Sequence, residues 1–176
     1  IAKRAIFHYV YAVLHHPSYR ERYAADLKKQ LPRVPYAPEF WGLANAGARL
    51  AELHANYEEQ PEFALEERWK TGAVLDFRVE KMKYDASEGT IRYNDALTLA
   101  GVPPEVERYR LGHKSALGWV LDQVRVTTDP RSGIVNDPNR EDDERAILRL
   151  LGQVIFVSVE TVRIVEALPD LGLPVD

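Results

Sequence analysis

Residues 145–168 constrain the fold of this chain more than any other stretch. Ile147, Leu150, Leu151, Val154, Ile155, Val157, Val162 and Val165 fall on nearly every side of a helical projection. A helix apolar around most of its circumference has little solvent face and belongs inside a fold. The spacing therefore predicts a buried helix over 145–168, against which the rest of the chain packs. Pro169 ends it. Glu141, Asp142, Asp143 and Glu144 precede it, where acids suit the positive end of the helix macrodipole.

Two further periodicities lie upstream. Helical spacing predicts a helix over 2–15 (Ile6, Val10, Val13, Leu14) and a second from Pro17 to Leu31 (Tyr19, Tyr23, Leu27), with Lys28 and Lys29 in its last turn. Pro32 and Pro35 close that segment. A third helix is expected from Pro38 to about Tyr57, with Phe40, Leu43, Gly47, Leu50, Leu53, His54 and Tyr57 on one face. Gly47 and the alanines around it imply close approach of another helix. Residues 58–67, EEQPEFALEE, read as an acidic linker. Alternation then takes over. Ala73–Tyr84 places Leu75, Phe77 and Val79 opposite Arg78, Glu80 and Met82. Thr90–Asn94 places Ile91 and Tyr93 opposite Arg92 and Asn94, and Leu97 and Leu99 continue the pattern. Val106–Leu111 is expected as a further strand, Lys114–Asp122 as a short helix with Ser115 near its start, and Val124–Thr127 as a brief strand.

These elements describe an α+β domain: N-terminal helices and a long buried C-terminal helix packed on a small antiparallel sheet of three to five strands. At 176 residues the chain is read as one domain. Its parts are helical over 1–57, sheet with a short helix over 68–127, an ordered loop over 128–140 and the long helix over 141–168. The stretch Thr127–Arg140 is rich in Asp, Pro, Gly, Ser and Asn, residues that set turns by fixed φ or by bonding their own backbone. Connections this long are usually functional or disordered. Ile134 and Val135 in its middle are expected to need burial, which argues for order.

The chain has no cysteine, which excludes disulfides and thiolate metal sites. No run approaches the ~20 apolar residues of a membrane span, and a cytoplasmic protein is expected. The first residue is Ile rather than Met, and the chain is read as a fragment of a longer polypeptide. Net charge is −4, but positive charge is concentrated in residues 1–34, 68–83 and 110–140, separated by acidic blocks. If those blocks share a face they suit a polyanion; otherwise they are solvated surface.

Phosphate-cradle, dinucleotide and zinc-protease motifs are absent, and no catalytic or metal residue is assigned. His15 and His16 are neighbours on a helix and do not face each other. Asp129, Asp137, Asp142 and Asp143 are read as turn and helix caps in preference to a cation site that would support a hydrolase. Tyr9, Tyr11, Tyr19, Tyr23 and Tyr57 are read as packing at the core edge rather than as a stacking platform. Arg78, Lys81, Lys83, Arg92 and Asn94 stand out because they cluster on predicted adjacent strands. Arg and Lys pair with phosphates or guanine, and Asn can read adenine. The competing reading is a solvated sheet face.

Four segments together resemble one family: 9–35 (YVYAVLHHPSYRERYAADLKKQLPRVP), 40–58 (FWGLANAGARLAELHANYE), 109–139 (YRLGHKSALGWVLDQVRVTTDPRSGIVNDPN) and 154–169 (VIFVSVETVRIVEALP). They are similar to the C-terminal specificity, or target recognition, domain of type ISP restriction-modification enzymes and related helicase-methyltransferase proteins. Ser115, Ala116, Leu117 and Trp119, followed by Ser132–Asn139, are the most specific part. The resemblance implies a domain that binds double-stranded DNA and has no catalysis of its own. It implies an upstream adenine N6-methyltransferase, an ATP-driven helicase-like translocase and a nuclease in the same polypeptide, with S-adenosylmethionine, ATP and Mg as their cofactors. An alternative role is a structural module that couples methyltransferase to helicase-like domains with few base contacts. The strand cluster is the expected reader of sequence. Lys114, Arg131, Asn136 and Arg140 are further candidates: Lys114, Arg131 and Arg140 are expected to touch the DNA backbone, and recognition lies in the loop instead if substituting Lys114, Arg131 or Asn136 abolishes sequence preference.

Overall fold

The computed structural model describes residues 1–173 and divides into two compact units, each with its own core. One unit comprises Ile1–Tyr57 with the chain from Glu160 onward; the other comprises Glu58–Val159.

In the first unit, α1 (Lys3–His15), α2 (Pro17–Arg22) and α3 (Phe40–Ala55) surround a core of Tyr9, Ala12, Val13, Tyr19, Leu43, Ala44 and Leu171. Pro17 sets both neighbouring ends. It holds His16 extended at φ −67° and ψ 126°, which stops α1, and then serves as the first residue of α2. α1 and α3 touch at Gly47, where an added Cβ would lie 1.8 Å from the His8 carbonyl oxygen. The close approach expected from Gly47 is thus a backbone contact. α2 ends at Arg22, not at Leu31 as the periodicity predicts. Beyond it, irregular turns continue through Leu27 N–H to Tyr23 O at 2.9 Å and Gln30 N–H to Asp26 O at 3.0 Å. The reason is packing. Tyr19, Leu27 and Val34 all line one core, and a straight helix would carry the later two away from it. Tyrosine hydroxyls hold the returning chain: Tyr19 donates to Arg33 O at 2.9 Å, and Tyr9 donates to Pro35 O at 2.6 Å.

The second unit holds an antiparallel sheet of β1 (Glu66–Trp69), β2 (Lys83–Asp85), β3 (Thr90–Arg92) and β4 (Leu97–Ala100), in the order β1-β4-β3-β2. Two sequence expectations change here. The acidic linker over 58–67 runs into β1, because Leu65, Glu67 and Trp69 alternate inward against Glu66 and Arg68, a period masked by charge. The strand expected over 73–84 shrinks to Lys83–Asp85, and residues 73–80 are held by side chains described below. Val106–Leu111 is likewise divided between a 3₁₀ turn at Pro104–Glu107 and β5 (Arg110–Leu111), which pairs with β6 (Lys114–Ser115). α4 (Ala116–Gln123) starts on Ser115, whose Oγ accepts from Gly118 N–H at 3.2 Å and donates to Glu107 at 3.0 Å. β7 (Thr127–Thr128) then pairs with β8 (Val135–Asn136) as a small ribbon.

α5 (Ala146–Glu166) is the long apolar helix, and its residues up to Val159 belong to this unit. Ile147, Leu148, Leu151 and Ile155 join Val79, Met82, Ile91, Tyr93, Leu97, Leu99 and Leu117 in one core. Full burial of each such side chain stabilises by about 2 kcal/mol. The acids 141–144 lie before the first turn rather than in it. Asp143 instead pairs with Arg149, and its carbonyl accepts from Ala146 N–H at 3.1 Å. Among the described residues no helix is long and apolar enough to cross a membrane.

Candidate functional site

Residues directly opposite one another in a sheet share a face. In the four-stranded sheet this rule sorts the side chains into rows. Leu99 opposes Ile91, and these turn into the core. On the other face Arg68 opposes Thr98, Thr98 opposes Arg92, and Arg92 opposes Lys83. The next step along the strands adds exposed Lys70, whose N–H donates to Ala96 O at 2.9 Å, and exposed Lys81, which bridges to exposed Arg125. One face of a small sheet therefore carries Arg68, Lys70, Lys81, Lys83, Arg92 and Arg125. The row at its far end is Glu66, Ala100, Thr90 and Asp85, so the face runs from acidic to basic.

Lys83 against Arg92, and Lys81 against Arg125, are like charges in directly opposed positions, an arrangement that destabilises a sheet. None of these four has an ion-pair partner among the described residues. Arg68 does, in Glu66 at 2.7 Å.

The other sequence candidates are placed differently. Asn94 sits beside the basic rows, but its amide is fully used. Nδ2 donates to Asp76 O at 2.8 Å and Arg78 O at 3.0 Å, and Oδ1 accepts from Ala96 N–H and Leu97 N–H at 2.9 and 2.8 Å. A side-chain amide offers two donors and one two-lone-pair acceptor, so nothing remains for a base edge. Arg78 donates to Asp137 at 2.7 Å. Lys114 pairs with Asp122 and lies 5.6 Å from the Trp119 ring centroid, while Trp119 Nε1–H donates to Leu111 O at 2.9 Å. Arg131, Asn136 and Arg140 are exposed and lie outside the four-stranded sheet. A cleft of about 760 Å³ is lined by Arg78, Lys81, Arg92, Asn94, Asp95 and Asp137, among others. Sequence reasoning missed Arg68, Lys70 and Arg125. The first two were legible in the alternation of Glu66, Arg68 and Lys70 with Glu67 and Trp69.

The β7–β8 ribbon owes its order to polar bonds. Ile134 and Val135 are 68% and 57% exposed, so burial does not order the loop, contrary to expectation. Asp129 builds the tip: its carboxylate accepts from Arg131 N–H at 2.9 Å, Ser132 N–H at 2.7 Å and Ser132 Oγ at 3.0 Å. These bonds hold its pKa below the usual range. Gly133, at φ 71°, closes the turn. At the base, Asn139 imitates a strand partner: Oδ1 accepts from Val79 N–H and Nδ2 donates to Val79 O, both at 2.8 Å. Asn139 also donates to Asp137, which lowers that carboxyl's pKa, and Arg78 adds to the effect. Asp129, Asp137 and Asp143 are thus each committed to separate hydrogen-bond sets.

In the first unit, His54 is bonded to Tyr11 Oη at 2.7 Å and Thr161 Oγ1 at 2.9 Å, with the His15 ring 5.4 Å away. Burial, reinforced by His15, pushes the His54 pKa down to about 4; burial also lowers that of His15.

The family model of the Type ISP C-terminal specificity domain matches residues 1–150. Three solved structures are similar. A nuclease-deletion mutant of the Type ISP restriction-modification enzyme LlaGI, in complex with a DNA substrate mimic, is 39% identical with a TM-score of 0.87 over 99% of this chain and 17% of its own. The ATP-dependent Type ISP restriction-modification enzyme LlaBIII bound to DNA is 33% identical, with a TM-score of 0.88 over 99% of this chain and 12% of its own. The DrdV–DNA complex is 37% identical, with a TM-score of 0.81 over 96% of this chain and 18% of its own. This chain therefore spans less than a fifth of each of those polypeptides. No curated protein matches it.

Proposed function

This chain belongs to the family of Type ISP C-terminal specificity domains, and we propose that it is the part of a longer restriction-modification polypeptide that recognises a double-stranded DNA target. The observation that carries this reading is the basic sheet face. Arg68, Arg92 and Lys83 stand in one row, Lys70, Lys81 and Arg125 extend it, and two opposed like-charge pairs are left uncompensated. A phosphate backbone supplies the missing counter-charge and releases condensed ions as it does so. The row crosses three strand spacings, about 14 Å, which is comparable with the ~12 Å width of the major groove. The similar structures hold DNA or a DNA substrate mimic, which supports the same reading.

In this reading the domain performs no chemistry itself. An adenine methyltransferase, a helicase-like translocase and a nuclease elsewhere in the polypeptide use S-adenosylmethionine, ATP and Mg, and the protein works in the cytoplasm. Phosphate contacts by the sheet face fix register, and base contacts select the site. The alternative role in coupling fits the helical unit. Its α1 exposes Ile6 and Phe7, and Phe7 lines a groove of about 590 Å³ with Ala48, Ala51 and Ala55 of α3. That face is suited to hold the methyltransferase or helicase-like domain of the same chain.

The test is Lys83→Ala with Arg92→Ala in the full-length protein, measured on target and competitor duplexes. Weaker binding to both is expected. Unchanged affinity for both removes the sheet face from the account.

A further inference from the structure

We infer that Glu80 and Asp95, two carboxylates in the cleft at the basic end of the sheet, are specificity-determining residues. Each accepts a hydrogen bond from an exocyclic amino group in the major groove, cytosine N4 or adenine N6. This rests on the DNA-recognition reading above and assigns the base contacts which that reading leaves open.

The first observation is where the two acids stand. The cleft of about 760 Å³ is lined by Glu80 and Asp95 together with Lys81 and Arg92. Lys81 and Arg92 belong to the basic sheet face, so DNA held by that face passes over the cleft. Both acids are exposed. Both also lie outside the four segments on which the family resemblance rests.

The second is which carboxylates are free. Two other acids line the cleft, and both are spent. Asp76 accepts from Arg78 N–H at 2.9 Å, while Asp137 is paired with Arg78 and bonded to Asn139. The side chains of Glu80 and Asp95 have no hydrogen-bond or ion-pair partner among the described residues. Their backbones are nevertheless fixed. Asp95 sits in the β3–β4 turn, closed by Tyr93 N–H to Leu97 O at 3.0 Å and Asn94 N–H to Leu97 O at 3.3 Å. Glu80 O accepts from Val126 N–H at 2.9 Å, next to the Lys81–Arg125 bridge. Only the side-chain rotamers remain to be ordered on binding, which lowers its entropic cost.

The third is what a carboxylate can do against DNA. It offers acceptors only, and a phosphate, anionic and also an acceptor, repels it. The donors on the major-groove edges of the bases are the amino groups of cytosine and adenine, and Asp or Glu accepts from cytosine N4. A duplex with an amine at the right place satisfies the carboxylate. Any other duplex leaves a charge desolvated and unpaired, which is discrimination by penalty. The choice of sequence thus stays on the sheet, as expected, but moves from Asn94 to the acids beside it.

The experiment is selection of bound duplexes from a randomised library by the full-length protein, followed by binding of the enriched duplex and of a scrambled one. Glu80→Ala and Asp95→Ala change exposed side chains and are expected to leave folding intact, which circular dichroism checks. Each should relax the selected motif at one base pair and reduce the target-to-scrambled preference by about tenfold to a hundredfold. Each should also bind the scrambled duplex roughly twofold to tenfold more tightly, because a repelling charge is gone. At the relaxed pair, replacing cytosine by 2-pyrimidinone, or adenine by purine, removes the amino group and shows which base supplies it. The wild type should lose preference for that duplex, and the corresponding variant should not distinguish it from the parent. If both variants keep the wild-type motif and preference while Lys83→Ala with Arg92→Ala still loses affinity, the assignment is overturned and the DNA-recognition reading stands. If they bind both duplexes more tightly by the same factor, the acids only repel phosphate and the assignment is again overturned. If no variant alters any binding, the DNA-recognition reading itself fails.

Discussion

Replacing His54 with Gln should remove most of the acid sensitivity of the helical unit. His54 bridges Tyr11 of α1 and Thr161 of α5, with one bond accepted and the other donated by a neutral ring. Its pKa is depressed in the fold to about 4, against ~6.5 in an unfolded chain. The unfolded state therefore binds more protons between these values, and stability rises with pH across that window. The contribution is fully present above pH ~6.5 and is lost as pH falls toward ~4. At pH 5 the loss comes to about 2 kcal/mol, and to about 1 kcal/mol once screening of a half-buried ring is allowed for. His15, also depressed, adds a smaller effect of the same sign. Hydrogen-exchange protection of α3 amides in the full-length protein, referenced to intrinsic rates at pH 7.5 and pH 5, reads this directly. The wild type should lose protection roughly fivefold to thirtyfold, and His54→Gln should lose much less. Equal losses in both proteins would refute the assignment of the pH dependence to this ring.

Two other substitutions follow from the same reasoning. Gly47→Ala forces α1 and α3 apart, since its Cβ would sit 1.8 Å from a backbone oxygen; destabilisation of about 3 kcal/mol or more is expected, seen as loss of hydrogen-exchange protection in α1 and α3. Asn94→Ala breaks four hydrogen bonds that tie 76–78 to the turn before β4. It should destabilise the sheet unit by about 2 kcal/mol without altering the DNA motif selected, which a combined melting and library-selection assay separates.

The legible parts of the chain were those where one face is apolar and the other is not. α1, α3 and α5 are legible by their period, and Gly47 marks a helix contact within it. β1 was hidden because Glu66, Glu67 and Arg68 put charge on both faces of an edge strand, where an exposed rim tolerates it. Residues 73–80 alternate like a strand, yet Asn94 and Asn139 supply the hydrogen bonds that a neighbouring strand would have made. The basic face was partly readable. Lys81, Lys83 and Arg92 follow from alternation, but Arg125 arrives through a bridge between segments far apart in sequence. Asn94 looked like a base reader because its type and exposure fit, and sequence carries no sign that its four hydrogen-bonding positions are spent. Ile134 and Val135 were expected inside because apolar residues in a long loop usually order it. Here Asp129 and Asn139 do that work, which leaves both side chains exposed.

The most direct measurement of the central claim is the salt dependence of DNA affinity for the full-length protein and for Lys83→Ala with Arg92→Ala. Each lost phosphate contact should lower the slope of log K against log salt by about 0.9. Two lost contacts from the sheet face should flatten it by about 1.8, for target and scrambled duplexes alike. A slope indistinguishable from wild type on both duplexes would contradict the account, because it would mean that the uncompensated cations on this sheet do not meet the DNA backbone.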